Sequence, residues 1–174
     1  MRTVSTRGTL SHGIFSTMSL KLSEPSTARL VLRQWHAEDR APFAALNADP
    51  LVMAHFPGTL TQAGSDALMD RCAGQLEREG HGLWAVQAGA EGDFAGFVGL
   101  SAPTWDAAFT ACAEIGWRLA RSAWGHGLAS EAAVRVQKNC LRRAELDEVV
   151  SFTTPRNLPT QQVTQRIGIT TLST

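Results

Sequence analysis

The sequence predicts a mixed α/β fold, a mixed and mostly antiparallel sheet flanked by helices on both faces. Three observations predict it. Short stretches of period-2 alternation mark strands, longer stretches carry apolar residues at helical spacing, and the two kinds follow one another as β-α-α-β-β-β-α-β-α without an internal repeat. At 174 residues, with 44% hydrophobic and 18% charged side chains, the chain has the size and composition of one globular domain.

Leu30 and Leu32 alternate with Arg29, Val31 and Arg33, which reads as the first strand. A helix over 37–48 follows, with Pro42 near its first turn, where a missing N–H costs little. Asn47, Asp49, Pro50 and the Pro57-Gly58 pair mark an irregular stretch. Over 62–79 a second helix is expected, with Leu68, Cys72 and Leu76 in one row, Met69 beside it, and Asp66, Asp70 and Glu77 opposite. Strands are expected over 83–87, 94–100 and 112–119, the first two joined by hairpin chemistry at 89–93. In the third, Ala113, Ile115, Trp117 and Leu119 face one way and Glu114, Gly116 and Arg118 the other. The next helix, running to about Arg143, carries a stripe of Ala129, Ala132, Ala133, Val136 and Cys140, with Glu131 and Arg135 on its far side. EVVSFT at 148–153 reads as a strand, and Asn157 can cap a last helix that ends at Arg166, before Gly168.

Charge and composition exclude several classes. Lys plus Arg equals Asp plus Glu, 16 each, so nucleic-acid binding through a basic face is not expected. No apolar run approaches the roughly 20 residues that span a bilayer. Cys72, Cys112 and Cys140 lack metal-ligand spacing and read as three reduced thiols of a cytoplasmic protein, with no metal implied. The first 23 residues contain no acid and are rich in Ser and Thr. A disordered leader over 1–28, an upstream start with Met18 as initiator, and an organelle transit peptide all fit them.

The feature that carries chemistry is a strand followed by Gly125-His126-Gly127 and then a helix. A helix start leaves backbone N–H groups unpaired and carries about half a positive charge, and two glycines let the backbone approach a phosphate closely. A steric role for the glycines is equally open on this local signal. A Walker loop is excluded because Leu128 and Ala129 stand where Lys and Ser or Thr would follow the last Gly. A dinucleotide fingerprint belongs after the first strand of a βαβ unit, whereas this loop follows an antiparallel run late in the chain.

The run EIGWRLARSAWGHGLASEA at 114–132 resembles the coenzyme A site of the GNAT acetyltransferase superfamily. More narrowly it resembles the branch that acetylates ribosomal-protein N-termini at alanine or serine. RLVLRQW at 29–35, LNADPLVM at 46–53, GFVGL at 96–100 and EVVSFTTPRN at 148–157 match in the family's order, so the similarity covers 29–169. The resemblance implies a GNAT domain over 29–174 that uses acetyl-coenzyme A. Backbone groups of Trp117, Arg118 and Leu119 would orient the pantetheine arm. Ser122, Trp124, Gly125, His126, Gly127, Leu128 and Ala129 would surround the pyrophosphate, and Asn157 would touch the cofactor from the loop after the next strand. For His126 a solvent-facing loop position is the competing account.

The implied reaction is direct attack of a neutral amine on the thioester. That amine needs a base, for which Glu114 on the polar face of its strand is the candidate; pairing with Arg118 is the alternative for its carboxylate. Many relatives protonate the departing thiolate with a tyrosine, but this chain has none, and the matching position is Thr164. Thr160, matching a serine of the ribosomal branch, is the candidate acid. Two more family strands would follow Gly168, where only ITTLST remains, so the C-terminus reads as incomplete and the 148–153 strand as left with an unpaired edge. An N-acetyltransferase is therefore expected, with a non-catalytic acyl-coenzyme A binder as the alternative. The acceptor amine is open between a protein N-terminus and a small molecule, and homodimerisation is open. Trp35 and Phe56 are the aromatics expected near the acceptor pocket.

Overall fold

The computed structural model describes residues 2–7, 24–89, 92–101, 113–143 and 148–172. In chain order the elements are β1 (Arg2–Arg7), β2 (Leu30–Arg33), α1 (Arg40–Ala48), α2 (Gln62–Glu79), β3 (Leu83–Ala88), β4 (Phe94–Ser101), β5 (Ala113–Leu119), α3 (Leu128–Arg143), β6 (Glu148–Thr153), α4 (Leu158–Arg166) and β7 (Thr170–Leu172). The strands form one sheet in the order β2-β3-β4-β5-β6-β1-β7. Neighbours are antiparallel except β5 with β6, which are parallel.

Local chemistry accounts for the helix limits. Thr61 accepts a hydrogen bond from the Gly64 amide and starts α2, and Gly80, at φ 68°, ends it in the left-handed conformation. Ser65, Met69, Cys72 and Leu76 form its buried row; Leu68, expected in that row, is half-buried at its margin. The 37–48 helix begins as a short 3-10 turn over Ala37–Asp39 before α1 takes over. Asn47, expected to open the irregular stretch, instead lies in the last turn of α1 and is fully buried.

α1 and α2 cover one face of the sheet. Trp35, Phe43, Phe94 and Phe97 cluster there, with Trp35 and Phe43 ring centroids 4.9 Å apart. Trp35 is thus a core residue, its indole donating to the Leu83 carbonyl, rather than a wall of the acceptor pocket. α3 packs on β4 and β5 through Ala132, Ala133 and Val136, whose small side chains allow close approach. The side chain of Cys140 and the whole of Cys112 lie outside the described residues; Cys72 is a buried free thiol, which burial pushes up to about 11.

Two expectations need correction. Residues 2–7, assigned to a disordered leader, form β1, which pairs with all of β6 from Arg2↔Thr153 to Arg7↔Glu148. The sheet edge expected to be bare is therefore covered. Thr170–Leu172 adds β7 on the far side of β1. The physical reason is the demand of β6 for partners: its central Val149 and Val150 are buried, and unpaired backbone groups beside them would be costly. RTVSTR answers that demand with residues of good strand propensity.

Candidate active site

The site begins where β5 and β6 part. Their register consists of Ala113↔Val149 and Glu114↔Val150 alone, although β5 continues to Leu119 and β6 to Thr153. Beyond Glu114 no described residue of β6 is in register with β5, so backbone N–H and C=O groups on that edge, the Leu119 carbonyl apart, are open to a ligand. A cavity of about 570 Å³ opens into the gap. Trp117, Arg118 and Leu119 of β5 form one wall, the 123–130 segment a second, and α4 a third.

The loop that closes one end holds Gly125 at φ 77° and Gly127 at φ 74°, conformations that side-chain-bearing residues adopt only with strain. A Cβ at Gly125 would meet no atom within 4 Å and one at Gly127 only Arg29 Nη2 at 3.9 Å, so the glycines serve backbone shape rather than relieve a clash. The loop is held from behind. Arg29 donates through Nη1 to the His126 carbonyl at 3.0 Å and through Nε and Nη2 to the Glu131 carboxylate at 2.7 and 2.5 Å. Thr27 donates to the same carboxylate, 2.5 Å away. Turning the His126 carbonyl toward Arg29 keeps an acceptor oxygen away from a site where an anion would sit. α3 starts at Leu128, adding its N-terminal amides and dipole.

On the α4 side Asn157 does two things: its Oδ1 accepts from the Thr160 amide at 3.2 Å, capping α4, and it lines the cavity. Thr160 also lines the cavity. Thr164 does not; it is buried and its hydroxyl donates to the Gln161 carbonyl at 2.8 Å.

Glu114 sits at the apex where the strands separate, and burial raises its carboxyl above the usual range. It does not pair with Arg118, four residues along the same strand face and so about 13 Å away. Between them Gly116 faces open space, for a Cβ there would touch nothing within 4 Å. Arg118 turns instead to Asn47, donating through Nη1 to Oδ1 at 2.5 Å, and lies 4.2 Å from the ring centre of Phe56 and 5.3 Å from that of Phe97. Asn47 is fixed in turn by donating to Ser65 Oγ at 2.9 Å. Arg118 and Phe56 also line a second cavity, of about 510 Å³, enclosed by the α1–α2 connection and the start of α2.

The structure thus gathers Trp117, Arg118, Leu119, Trp124, Gly125, Gly127, Leu128, Ala129, Asn157 and Thr160 around one cavity. Ser122 and His126 belong to the same loop but are exposed and do not line it. Glu114 lies beyond its lining, at the apex. The Leu119 carbonyl is taken by the Trp124 indole at 2.8 Å, so that oxygen is engaged within the protein. Sequence reasoning missed Leu51, Val52 and His55 from the α1–α2 connection, and Gln162, Val163 and Arg166 from α4. The exposed apolar Leu51 and Phe56, in a stretch bracketed by prolines, were the available signal. No three His, Cys, Asp or Glu side chains cluster in a way that could hold a metal, and no helix is long and apolar enough to cross a membrane, among the described residues.

Solved structures share this fold. An acetyltransferase from Agrobacterium tumefaciens aligns with a TM-score of 0.75 at 24% identity, over 88% of this chain and 87% of its own. A spermidine N-acetyltransferase from Vibrio cholerae, in complex with CoA and spermine, gives 0.65 at 16% identity over 82% and 81%. An acetyl transferase from Salmonella typhimurium that modifies the N-terminal serine of a 50S ribosomal subunit protein gives 0.66 at 15% identity over 82% and 81%. At these identities the likeness is one of fold. The acetyltransferase (GNAT) domain family model matches residues 29–170, which is most of the chain. The chain therefore belongs to the GNAT acetyltransferase family and is an acyltransferase.

Proposed function

We propose that the chain transfers the acetyl group of acetyl-coenzyme A to a primary amine by direct attack. The observation that carries this reading is the parting of β5 from β6 directly above a twin-glycine loop. A pantetheine arm can pair with the free edge of β5 at Trp117, beside Arg118, while the pyrophosphate takes the amides between Trp124 and Ala129. Asn157 contributes from the opposite wall.

The thioester then lies toward the apex, near Glu114. The Glu114 carboxylate takes a proton from the substrate ammonium, directly or through water, and its burial favours that role by bringing its pKa closer to neutrality. The neutral nitrogen adds to the thioester carbonyl, the C–S bond breaks, and the coenzyme A thiolate takes its proton from Thr160 or from solvent. Thr160 fits this role better than Thr164, whose hydroxyl is spent within α4. The acceptor is a small-molecule amine or a protein N-terminus, and the expected compartment is the cytoplasm.

A thiol-release assay with acetyl-coenzyme A and a panel of primary amines tests the reading. Amine-dependent release that falls steeply in Glu114→Gln supports it. Tight coenzyme A binding with no amine-dependent release from any acceptor class would make the chain a binder rather than an enzyme.

A further inference from the structure

Arg118 has no counterion among the described residues and stands at the meeting point of two cavities. Asn47 satisfies Nη1, the Phe56 and Phe97 rings flank the guanidinium, and Nε is buried with no partner. No carboxylate lies within ion-pair distance of it among the described residues. Burial lowers its pKa to about 10, which leaves it charged at neutral pH. Removing such a charge from water is costly unless it is paired. The second cavity adds to the imbalance: Arg71 lines it beside Arg118, and among the described residues no Asp or Glu does. Nor, among the described residues, does any acid line the first cavity, which His55 and Arg166 line as well. The start of α2 borders the second cavity with no acid in its first turn, so its dipole has the same sign of effect.

We propose that the second cavity is the acceptor subsite and that Arg118, assisted by Arg71, selects an amine whose molecule also carries a carboxylate. This rests on the acetyltransferase reading and narrows its acceptor. The geometry suits it: Gly116 leaves the β5 face open between Glu114 and Arg118, so an amine over Gly116 has a base on one side and a guanidinium on the other. A carboxylate in the cavity would supply the charge-assisted pair that the Arg118 guanidinium lacks among the described residues. Polycationic acceptors would meet Arg118 and Arg71 with Glu114 as the one carboxylate near them among the described residues, and are disfavoured.

The test is a set of matched acceptors in the thiol-release assay on the full chain. Glutamate and alanine are compared with their carboxamides, amidated tetrapeptides with Asp at the second position with their Asn counterparts, and spermine stands for polycations. The expected result is a kcat/KM at least tenfold higher for the acid in one arm, and the arm says whether the source is a free amino acid or a peptide N-terminus. In Arg118→Met that ratio should fall toward one, and in the exposed-site variant Arg71→Met it should fall in part, while Arg118→Lys retains some of it. Calorimetry on the coenzyme A complex supplies a readout without turnover: the acid of the preferred pair binds measurably and its amide does not. Equal use of acid and amide, or a ratio indifferent to both arginine variants, would overturn the proposal and leave the acetyltransferase reading standing. Absence of amine-dependent turnover together with absence of acid binding would overturn both.

Discussion

Replacing Gly127 by alanine tests whether the positive-φ loop holds the pyrophosphate. At φ 74° an alanine is strained by about 1–2 kcal/mol, and its Cβ would meet nothing nearer than Arg29 Nη2 at 3.9 Å, so the effect is conformational rather than steric. Two responses are available. If the loop keeps its shape, the strain stays in the folded state, partly offset by the roughly 0.4–1 kcal/mol that alanine takes from the entropy of the unfolded chain. The net loss of about 1 kcal/mol lowers Tm by roughly 2–4 °C for a chain of this size. If the loop relaxes to negative φ, Tm holds and the strain reappears on binding, raising the coenzyme A Kd roughly 5- to 30-fold. Thermal unfolding and calorimetric titration on the same sample give both terms. Acetyl-pantetheine, which lacks the pyrophosphate, should show little change in Kd. An unchanged Tm together with an unchanged coenzyme A Kd would refute the loop assignment, as would equal weakening of both ligands.

Other substitutions test the rest of the site and its support. Glu114→Gln should lower the acetylation rate by about 100-fold or more at neutral pH, read in the thiol-release assay. It should also raise Tm at neutral pH: burial raises the folded-state pKa, so this carboxyl costs no stability below the unfolded value, near 4.3, and its cost is fully felt once pH rises through the folded one. The Tm difference therefore vanishes in acid. Asp39→Ala leaves buried Arg33 without the carboxylate it binds at 2.7 and 2.8 Å, and should cost about 3–5 kcal/mol by denaturant unfolding. Burial alone would push the Asp39 carboxyl up, but hydrogen bonds from Arg33 and the His36 amide more than offset it and hold the pKa down. Its contribution is thus present above the unfolded value, near 3.9, and lost as pH falls through the folded one, so acid unfolding should begin at higher pH in the variant. Arg29→Met removes the bond to the His126 carbonyl; because Arg29 is half-exposed, the coenzyme A Kd should rise only severalfold, with acceptor selectivity untouched.

What could be read from the sequence was local. The α2 limits at Gln62 and Glu79 follow from a threonine cap and a terminal glycine, and the cofactor loop follows from two glycines between a strand and a helix. Long-range pairing was not legible. Nothing in RTVSTR names β6 as its partner, because strand pairing depends on which edge is left bare by the rest of the fold. Likewise Arg118 reads as a polar-face residue of its strand; only the approach of Asn47, Phe56 and Phe97 from other elements makes it a half-buried cation with no counterion among the described residues. Asn47 illustrates the same limit, since a residue typical of turns proves to be the buried link between Arg118 and Ser65. Thr160 and Thr164 could be told apart only by their helix faces, one toward the cavity and one into the protein.

Calorimetric titration of the folded chain with acetyl-coenzyme A at moderate salt tests the central claim most directly. Saturable one-to-one binding with micromolar Kd and a matching rise in Tm is expected, weakened when acetyl-pantetheine replaces the whole cofactor. A chain that unfolds cooperatively yet neither binds acetyl-coenzyme A nor gains Tm from it would contradict the assignment of the β5–β6 gap as the cofactor site.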